Sequence, residues 1–363
     1  MKLNEDFLNS MKEAFELLRT AGPKEAAAAV QRALAGGAAR AAETLTPHAP
    51  QSAKDRAQAW ARAQTQAEPA PHPPAGHTVD ADTPGIFSTH NFSNGAGQRQ
   101  YKLYVPAVYK SEQLPLIVML HGCTQNADDF AAGTRMNEMA ERHGFIVVYP
   151  NQSQAANHSK CWNWFKPVDQ QRDQGEPSLI AGITREVMAR YRVDPARVYV
   201  AGLSAGGAMA DIMLTTSPDL YAAACVHSGL AYGSAKGLPS ALAAMKSGKA
   251  RRSRARSEPQ RPLIVFHGDA DSTVHPSNAT ELIAGFDAGT TTVSVPARAA
   301  NGQRGCTVQR LSAANGVEAE YWSIHGAGHA WAGGSQRGSY TDPTGPDAAA
   351  EMLRFFLAHP RKH

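Results

Sequence analysis

Gly202-Leu203-Ser204-Ala205-Gly206 sets a hydroxyl between two glycines, the G-x-S-x-G spacing of a serine lifted on a tight turn. The pattern is weak alone and gains meaning from its flanks. A β-branched and aromatic run at 197–201 breaks at Gly202, and a small-residue, helix-compatible stretch follows at 205–214. A strand that enters a helix through such a turn exposes the serine hydroxyl. The glycines suit it because a side chain at either flank would meet the neighbouring strand or helix. The Ala205 N–H falls at the helix start, where unpaired donors and the dipole favour developing negative charge. A serine hydroxyl is a poor nucleophile by itself, so this chemistry needs a base and a group that orients the base.

Three other apolar runs end in residues that acyl transfer could use. The run at 116–120 opens into His121-Gly122-Cys123-Thr124, where the Cys123 N–H is the candidate to pair with the Ala205 N–H as an oxyanion hole. The run at 263–266 opens into His267-Gly268-Asp269-Ala270-Asp271. Asp271 is the preferred orienting acid, because the turn must carry the carboxylate beyond the strand tip; Asp269 then stabilises the turn. The run at 318–324 opens into His325-Gly326-Ala327-Gly328-His329-Ala330-Trp331. That glycine-rich loop lets His329 reach Ser204 as general base and acid, with His325, nearer the strand, as its rival. The order Ser, Asp, His along the chain is that of the α/β-hydrolases.

These loops need a frame that gathers strand ends. Short apolar runs at 116–120, 145–149, 197–201, 222–226, 263–266 and 318–324 alternate with helical stretches. That alternation predicts an α/β fold, a mainly parallel sheet with helices on both faces, whose ligands bind outside the carboxyl ends of the strands. Residues 85–90 and 98–105 read as paired strands about the turn Asn94-Gly95. The catalytic domain is expected over 81–363. Before it, residues 1–37 read as a helical hairpin, with Phe7, Leu8, Met11, Phe15 and Leu18 at helical spacing and a break at Gly22-Pro23. A hairpin that small cannot bury its apolar face alone, so it docks on the body, self-associates or binds a partner. Residues 38–80 form an Ala- and Pro-rich linker, with a short helix carrying Trp60 at 53–67.

Composition narrows the functions. With 42% hydrophobic and 19% charged residues, the 363-residue chain reads as a soluble globular protein. A net charge of +4 is too small at this length to indicate a nucleic-acid partner. No run is long enough to span a bilayer, and the opening Met1-Lys2-Leu3-Asn4-Glu5-Asp6 carries no apolar signal region. A cytoplasmic location is therefore expected, with an extracellular one as the alternative. Neither H-E-x-x-H nor paired C-x-x-C occurs, and no G-x-G-x-x-G opens a helix after a strand, so neither metal nor cofactor is expected. The basic residues between Lys246 and Arg261 read as a solvated surface insertion.

The stretch from about Gln98 to Leu357 resembles the esterase family of polyhydroxybutyrate depolymerases, which also holds feruloyl and acetylxylan esterases. The residues that carry the likeness are His121-Gly122-Cys123-Thr124-Gln125, Cys161-Trp162-Asn163-Trp164-Phe165, the run from Val193 through Ser204 to Gly207, His267-Gly268-Asp269-Ala270-Asp271, and Gly328-His329-Ala330-Trp331-Ala332-Gly333-Gly334. The resemblance implies an α/β-hydrolase fold, a triad of Ser204, Asp271 and His329, and Cys123 and Ala205 amides in the oxyanion hole. Hydroxyalkanoate esters or oligomers are then the leading substrates, and feruloyl or acetyl esters of plant polysaccharide the alternative. No separate polymer-binding domain is visible in the sequence, which favours soluble or amorphous esters. A reading of another class is an inert hydrolase body that serves as a scaffold through the 1–37 hairpin.

Trp162 and Trp164 fall in the loop after 145–149, and Trp331 lies two residues beyond His329; their ring planes are expected to hold substrate. Cys123 and Cys161 lie on the same side of the sheet, so a bridge between their loops is one hypothesis, while Cys225 reads as a buried free thiol.

Overall fold

The computed structural model describes residues 77–78, 83–247, 261–295 and 302–362. The hairpin expected at 1–37, the helix at 53–67, nearly all of the linker and the basic residues 248–260 lie outside them.

In chain order the elements begin with β1 (His77–Thr78), β2 (Ile86–Asn94), β3 (Gly97–Val105) and β4 (Leu114–Leu120). There follow α1 (Ala127–Thr134), α2 (Met136–His143), β5 (Ile146–Pro150), α3 (Gly175–Arg190), β6 (Val193–Leu203) and α4 (Ala205–Thr216). Next come β7 (Ala223–His227), α5 (Leu238–Ser247), β8 (Leu263–Gly268), α6 (Ser277–Ile283), β9 (Gly289–Val295) and β10 (Cys306–Ser312). The chain closes with β11 (Glu318–Ile324), β12 (Trp331–Ala332), β13 (Thr341–Asp342) and α7 (Ala348–Ala358).

Eleven strands form one sheet in the order β1-β2-β3-β5-β4-β6-β7-β8-β11-β10-β9. From β5 to β11 every neighbouring pair is parallel. Every residue of β4, β5, β7 and β8 is buried. Such strands have no wet face, which is why each reads as an uninterrupted apolar run rather than an alternation. The pleat splits their side chains between two cores. Leu116, Val118 and Leu120 join Ile180, Ile183 and Val187 of α3 and Met209 and Met213 of α4. Ile117 and Met119 join Phe130 of α1, Met136 of α2, and Met352 and Phe356 of α7. Helices thus cover both faces, as the sequence predicts.

Antiparallel strands finish each edge. β2 and β3 pair through Asn94 and Gly97, and the Asn94 side chain accepts the Ala96 N–H across the turn. At the other edge β10 and β9 continue antiparallel from β11. These two escape the sequence reading because neither is an apolar run. β9 is threonine-rich with exposed side chains over 290–293, and in β10 buried Cys306 and Val308 alternate with half-exposed neighbours. Among the described residues no helix is long and apolar enough to cross a membrane.

Candidate active site

β6 runs straight into α4, and the residue at the junction is Ser204, with φ 58° and ψ −119°. A non-glycine residue in that region costs on the order of 1–3 kcal/mol and persists only where its surroundings enforce it. The enforcement is visible. The Ser204 N–H donates to the His227 carbonyl at 2.8 Å, and the Ser204 carbonyl accepts the Ala208 N–H at 2.9 Å. A Cβ on Gly206 would collide with the Leu120 carbonyl oxygen, and one on Gly202 with the Gly206 backbone. Both glycines are therefore set by close approach of backbone to backbone, as the pattern requires. The Ser204 hydroxyl makes no hydrogen bond among the described residues.

The loop after β4 is fixed from several directions. The His121 Nε2 accepts the Gln152 N–H at 3.0 Å, which leaves the proton on Nδ1, where it donates to the Gly122 carbonyl at 2.7 Å. Burial holds this imidazole neutral, pushing its pKa down to about 4. The Gly122 N–H donates to Gln125 Oε1 at 2.9 Å, and the Thr124 N–H to the Ser159 carbonyl at 2.7 Å. A disulfide joins Cys123 to Cys161. Between the bonded amides of Gly122 and Thr124, the Cys123 N–H has no acceptor among the described residues. The Ala205 N–H, in the first turn of α4, has none either.

Behind the disulfide sits a carboxylate with no signature in the sequence. Glu176, buried in α3, accepts the Asn163 N–H at 2.7 Å and the Asn163 Nδ2 at 2.6 Å, and also takes a bond from Gln152 Nε2. Gln152 Nε2 donates in addition to the Cys161 carbonyl at 2.9 Å. Burial and then the nearby Asp169 raise the Glu176 pKa, against these hydrogen bonds. One buried side chain thereby sets the 161–164 loop and, through Gln152 and His121, the loop that carries Cys123.

In the loops that follow β8 and β11, Asp271 and His329 meet. Asp271 Oδ2 lies 2.7 Å from His329 Nδ1, while Asp271 Oδ1 accepts the Thr273 and Val274 N–H groups at 2.9 Å each. The Asp271 side chain is fully buried and that of His329 is 11% exposed. Burial pushes the carboxyl pKa up, but the His329 bond and charge, the Val274 amide and His267 together outweigh it and hold the group below its ordinary value. Asp269 does otherwise: it is exposed, and its Oδ1 accepts the Gly326 N–H. His325 is exposed and bonds Thr307 at 2.9 Å.

His227 links the two halves. Its carbonyl anchors Ser204, and its Nε2 accepts the Ala332 N–H at 3.0 Å, three residues beyond His329. The ring stacks on Trp331 with centroids 5.1 Å apart. Burial, followed by the neighbouring imidazoles of His267 and His329, pushes the His227 pKa down to about 3. Sequence reading passed over this residue, although it ends an apolar run just as His121 and His267 do. A histidine buried neutral stabilises the fold above its unfolded pKa of about 6.5 and loses that contribution as pH falls toward the folded value, at about 1.4 kcal/mol per pH unit. His227→Gln keeps an acceptor for Ala332 and removes the titration. Urea unfolding across pH 4.5–7 is expected to show the variant's stability falling less steeply below pH 6.5, by roughly 1 kcal/mol per unit. Parallel curves would contradict the assignment.

The tryptophans correct an expectation. Trp162 is 0%, Trp331 1% and Trp164 6% exposed, so none presents a ring plane to solvent. Trp162 Nε1 donates to the His121 carbonyl at 3.1 Å and Trp331 packs edge-on to Phe130: these rings brace the site loops. They are buried because large apolar surface next to a strand end finds the core before it finds a ligand. The exposed aromatic near the loop is Tyr340, 45% exposed at φ 53°, whose hydroxyl lies 3.3 Å from Thr124 Oγ1. Nothing in its sequence setting marks it. Cys225 is a buried free thiol, and so is Cys306. Among the described residues no group of three His, Cys, Asp or Glu is placed to hold a metal ion.

Comparison with known proteins bears on this geometry. Residues 99–309 match the family model described as esterase PHB depolymerase, a span that includes Cys123, Ser204 and Asp271 and stops short of His329. Over 212 residues the chain is 35% identical to a poly(3-hydroxyalkanoate) depolymerase C of Paucimonas lemoignei, covering 55% of this chain and 51% of that protein. Over 208 residues it is 31% identical to a feruloyl esterase B of Neurospora crassa, covering 53% and 70%. This chain thus spans only about half the length of the depolymerase. Among solved structures, an acetyl xylan esterase from Aspergillus awamori superposes with a TM-score of 0.58 at 19% identity, over 74% of this chain and 99% of that one, which speaks to the fold. With a family match across more than half of its length, the chain belongs to the esterase PHB depolymerase family.

Proposed function

We propose that the chain hydrolyses carboxylic esters through an acyl-enzyme on Ser204, with His329 as base and acid and Asp271 as the group that orients it. The observation that carries this reading is the 2.7 Å contact of Asp271 Oδ2 with His329 Nδ1, in a fold that also holds Ser204 on its strained turn. A carboxylate on Nδ1 fixes the proton there and leaves Nε2 free to accept from the serine. Ser204 Oγ adds to the ester carbonyl as its proton passes to His329. The oxyanion so formed accepts from the Cys123 and Ala205 N–H groups, which lack other acceptors among the described residues. Collapse expels the alcohol, protonated by His329, and water activated by the same imidazole releases the acid. The hydroxyl-to-imidazole hydrogen bond forms when substrate excludes water.

Hydroxyalkanoate esters are the leading substrates, on the 35% identity to a depolymerase. Feruloyl and acetyl esters are the alternative, supported by relatives of those names. The disulfide at Cys123 favours an oxidising compartment, and so the extracellular alternative over the cytoplasmic one. The test is covalent labelling with a fluorophosphonate and mapping of the modified peptide. Label on Ser204 is expected. An unlabelled protein, or label elsewhere, rejects the reading and leaves the inert scaffold.

A further inference from the structure

A polar pocket of about 860 Å3 opens on the β3–β5 side of the 121–125 loop. Ten of its twelve lining residues are polar, and the apolar remainder is two alanines, Ala155 and Ala156. Its wall abuts the loops that carry Cys123 and Cys161, at the carboxyl end of β5, two strands along the sheet from β6. Gln152 lines the pocket and donates its N–H to His121, and Lys160 lines it immediately before the bridged Cys161.

The charges and donors of this wall are unbalanced. Asp128, its one carboxylate, is paired with Lys102 at 2.9 Å. Lys160 is half-buried and has no carboxylate within 4 Å among the described residues. Arg99 is 7% exposed; one guanidinium nitrogen donates to the Gln98 carbonyl at 2.8 Å, another lies 3.5 Å from Glu176, and its buried Nε has no partner. The Asn151 Oδ1 is occupied by the Ala127 N–H at 2.7 Å, which leaves that amide's NH2 as a donor. A pocket with surplus donors, an uncompensated ammonium and almost no apolar wall disfavours a hydrocarbon chain. It suits a group with several acceptor oxygens and a negative charge.

We propose that this pocket binds the free carboxylate end of an acid-terminated hydroxyacyl oligomer, with Lys160 as its cation. The proposal rests on the ester-hydrolase reading and narrows its substrate class to short, charged oligomers whose scissile ester is held at Ser204.

A linear trimer of 3-hydroxybutyrate, as the free acid and as its methyl ester, presents the same internal ester bonds and differs in the terminal charge. The ratio of kcat/KM, acid over methyl ester, is the readout. It is expected to exceed one at about 20 mM salt and to fall toward one at about 0.5 M, where screening is strong. Lys160→Met is expected to lower the ratio about fivefold, and Gln100→Glu, which adds a negative charge on an exposed strand position, to lower it as well. A ratio insensitive to salt and to both substitutions overturns the proposal, as does an equal loss on both trimers. Preference for a neutral saccharide ester over both trimers, unchanged in the two variants, also overturns it. Wild-type protein that cleaves neither trimer nor p-nitrophenyl butyrate defeats the esterase reading itself, a separate result.

Discussion

Replacing Ser204 with alanine is expected to lower kcat for p-nitrophenyl butyrate by about ten-thousand-fold or more while the fold stays intact. The size follows from the role: without the hydroxyl no acyl-enzyme forms, and the remaining donors act only on a slow attack by water. Four decades of rate correspond to about 5–6 kcal/mol of transition-state stabilisation. The structural cost is small for a stated reason. The Ser204 hydroxyl makes no hydrogen bond among the described residues, so its removal leaves no partner unsatisfied. The turn is held by the Ser204 backbone, through His227 and Ala208, and by the tight approach of Gly202 and Gly206. Alanine keeps that backbone, and a thermal unfolding midpoint within a few degrees of wild type is expected. Near-normal turnover by a folded variant would defeat the nucleophile assignment.

How much of this arrangement was legible depended on whether a residue's role is local. Ser204 was readable because its turn lies within five residues of sequence, and the glycines that permit it are part of the same pattern. Four of the central strands, β4, β5, β7 and β8, were readable because burial on both faces leaves a nearly unbroken row of apolar side chains. Asp271 and His329 were readable as candidates because each follows such a run, but the contact that distinguishes Asp271 from Asp269 spans 58 positions and depends on how two loops cross. Glu176 lay beyond reach: a glutamate in the first turn of a helix ordinarily complements the helix dipole at the surface, and here it is buried under amides from two loops. The tryptophans misled for the opposite reason. Their proximity to the site was legible, but whether an indole faces a groove or braces it is settled by packing, and these three are packed. The Cys123–Cys161 pair was suggested by which end of the sheet each loop occupies, and its consequence emerges only with the fold. It ties the residue proposed to stabilise the oxyanion to the loop that Glu176 holds.

The two aspartates of the β8 turn offer a sharper measurement than the serine, because they separate catalysis from loop structure within three residues. Asp271→Asn is expected to reduce kcat about a thousand-fold, and Asp269→Asn no more than about threefold. The asymmetry follows from what each carboxylate accepts. Among the described residues the Asp269 side chain takes only the Gly326 N–H, a bond that an amide oxygen reproduces. Asp271 takes two backbone amides on Oδ1, which will hold the carbonyl of the replacement amide, so its NH2 is turned toward His329. A donor now faces Nδ1, which must give up its proton and become the acceptor. The imidazole proton moves to Nε2, the atom required to receive the serine's proton, and the base is disabled without any displacement of its ring. Lowered kcat with little change in KM, in a protein that unfolds at the wild-type temperature, is the expected signature. Equal losses at the two positions would show that the turn, and not the carboxylate on His329, carries the effect.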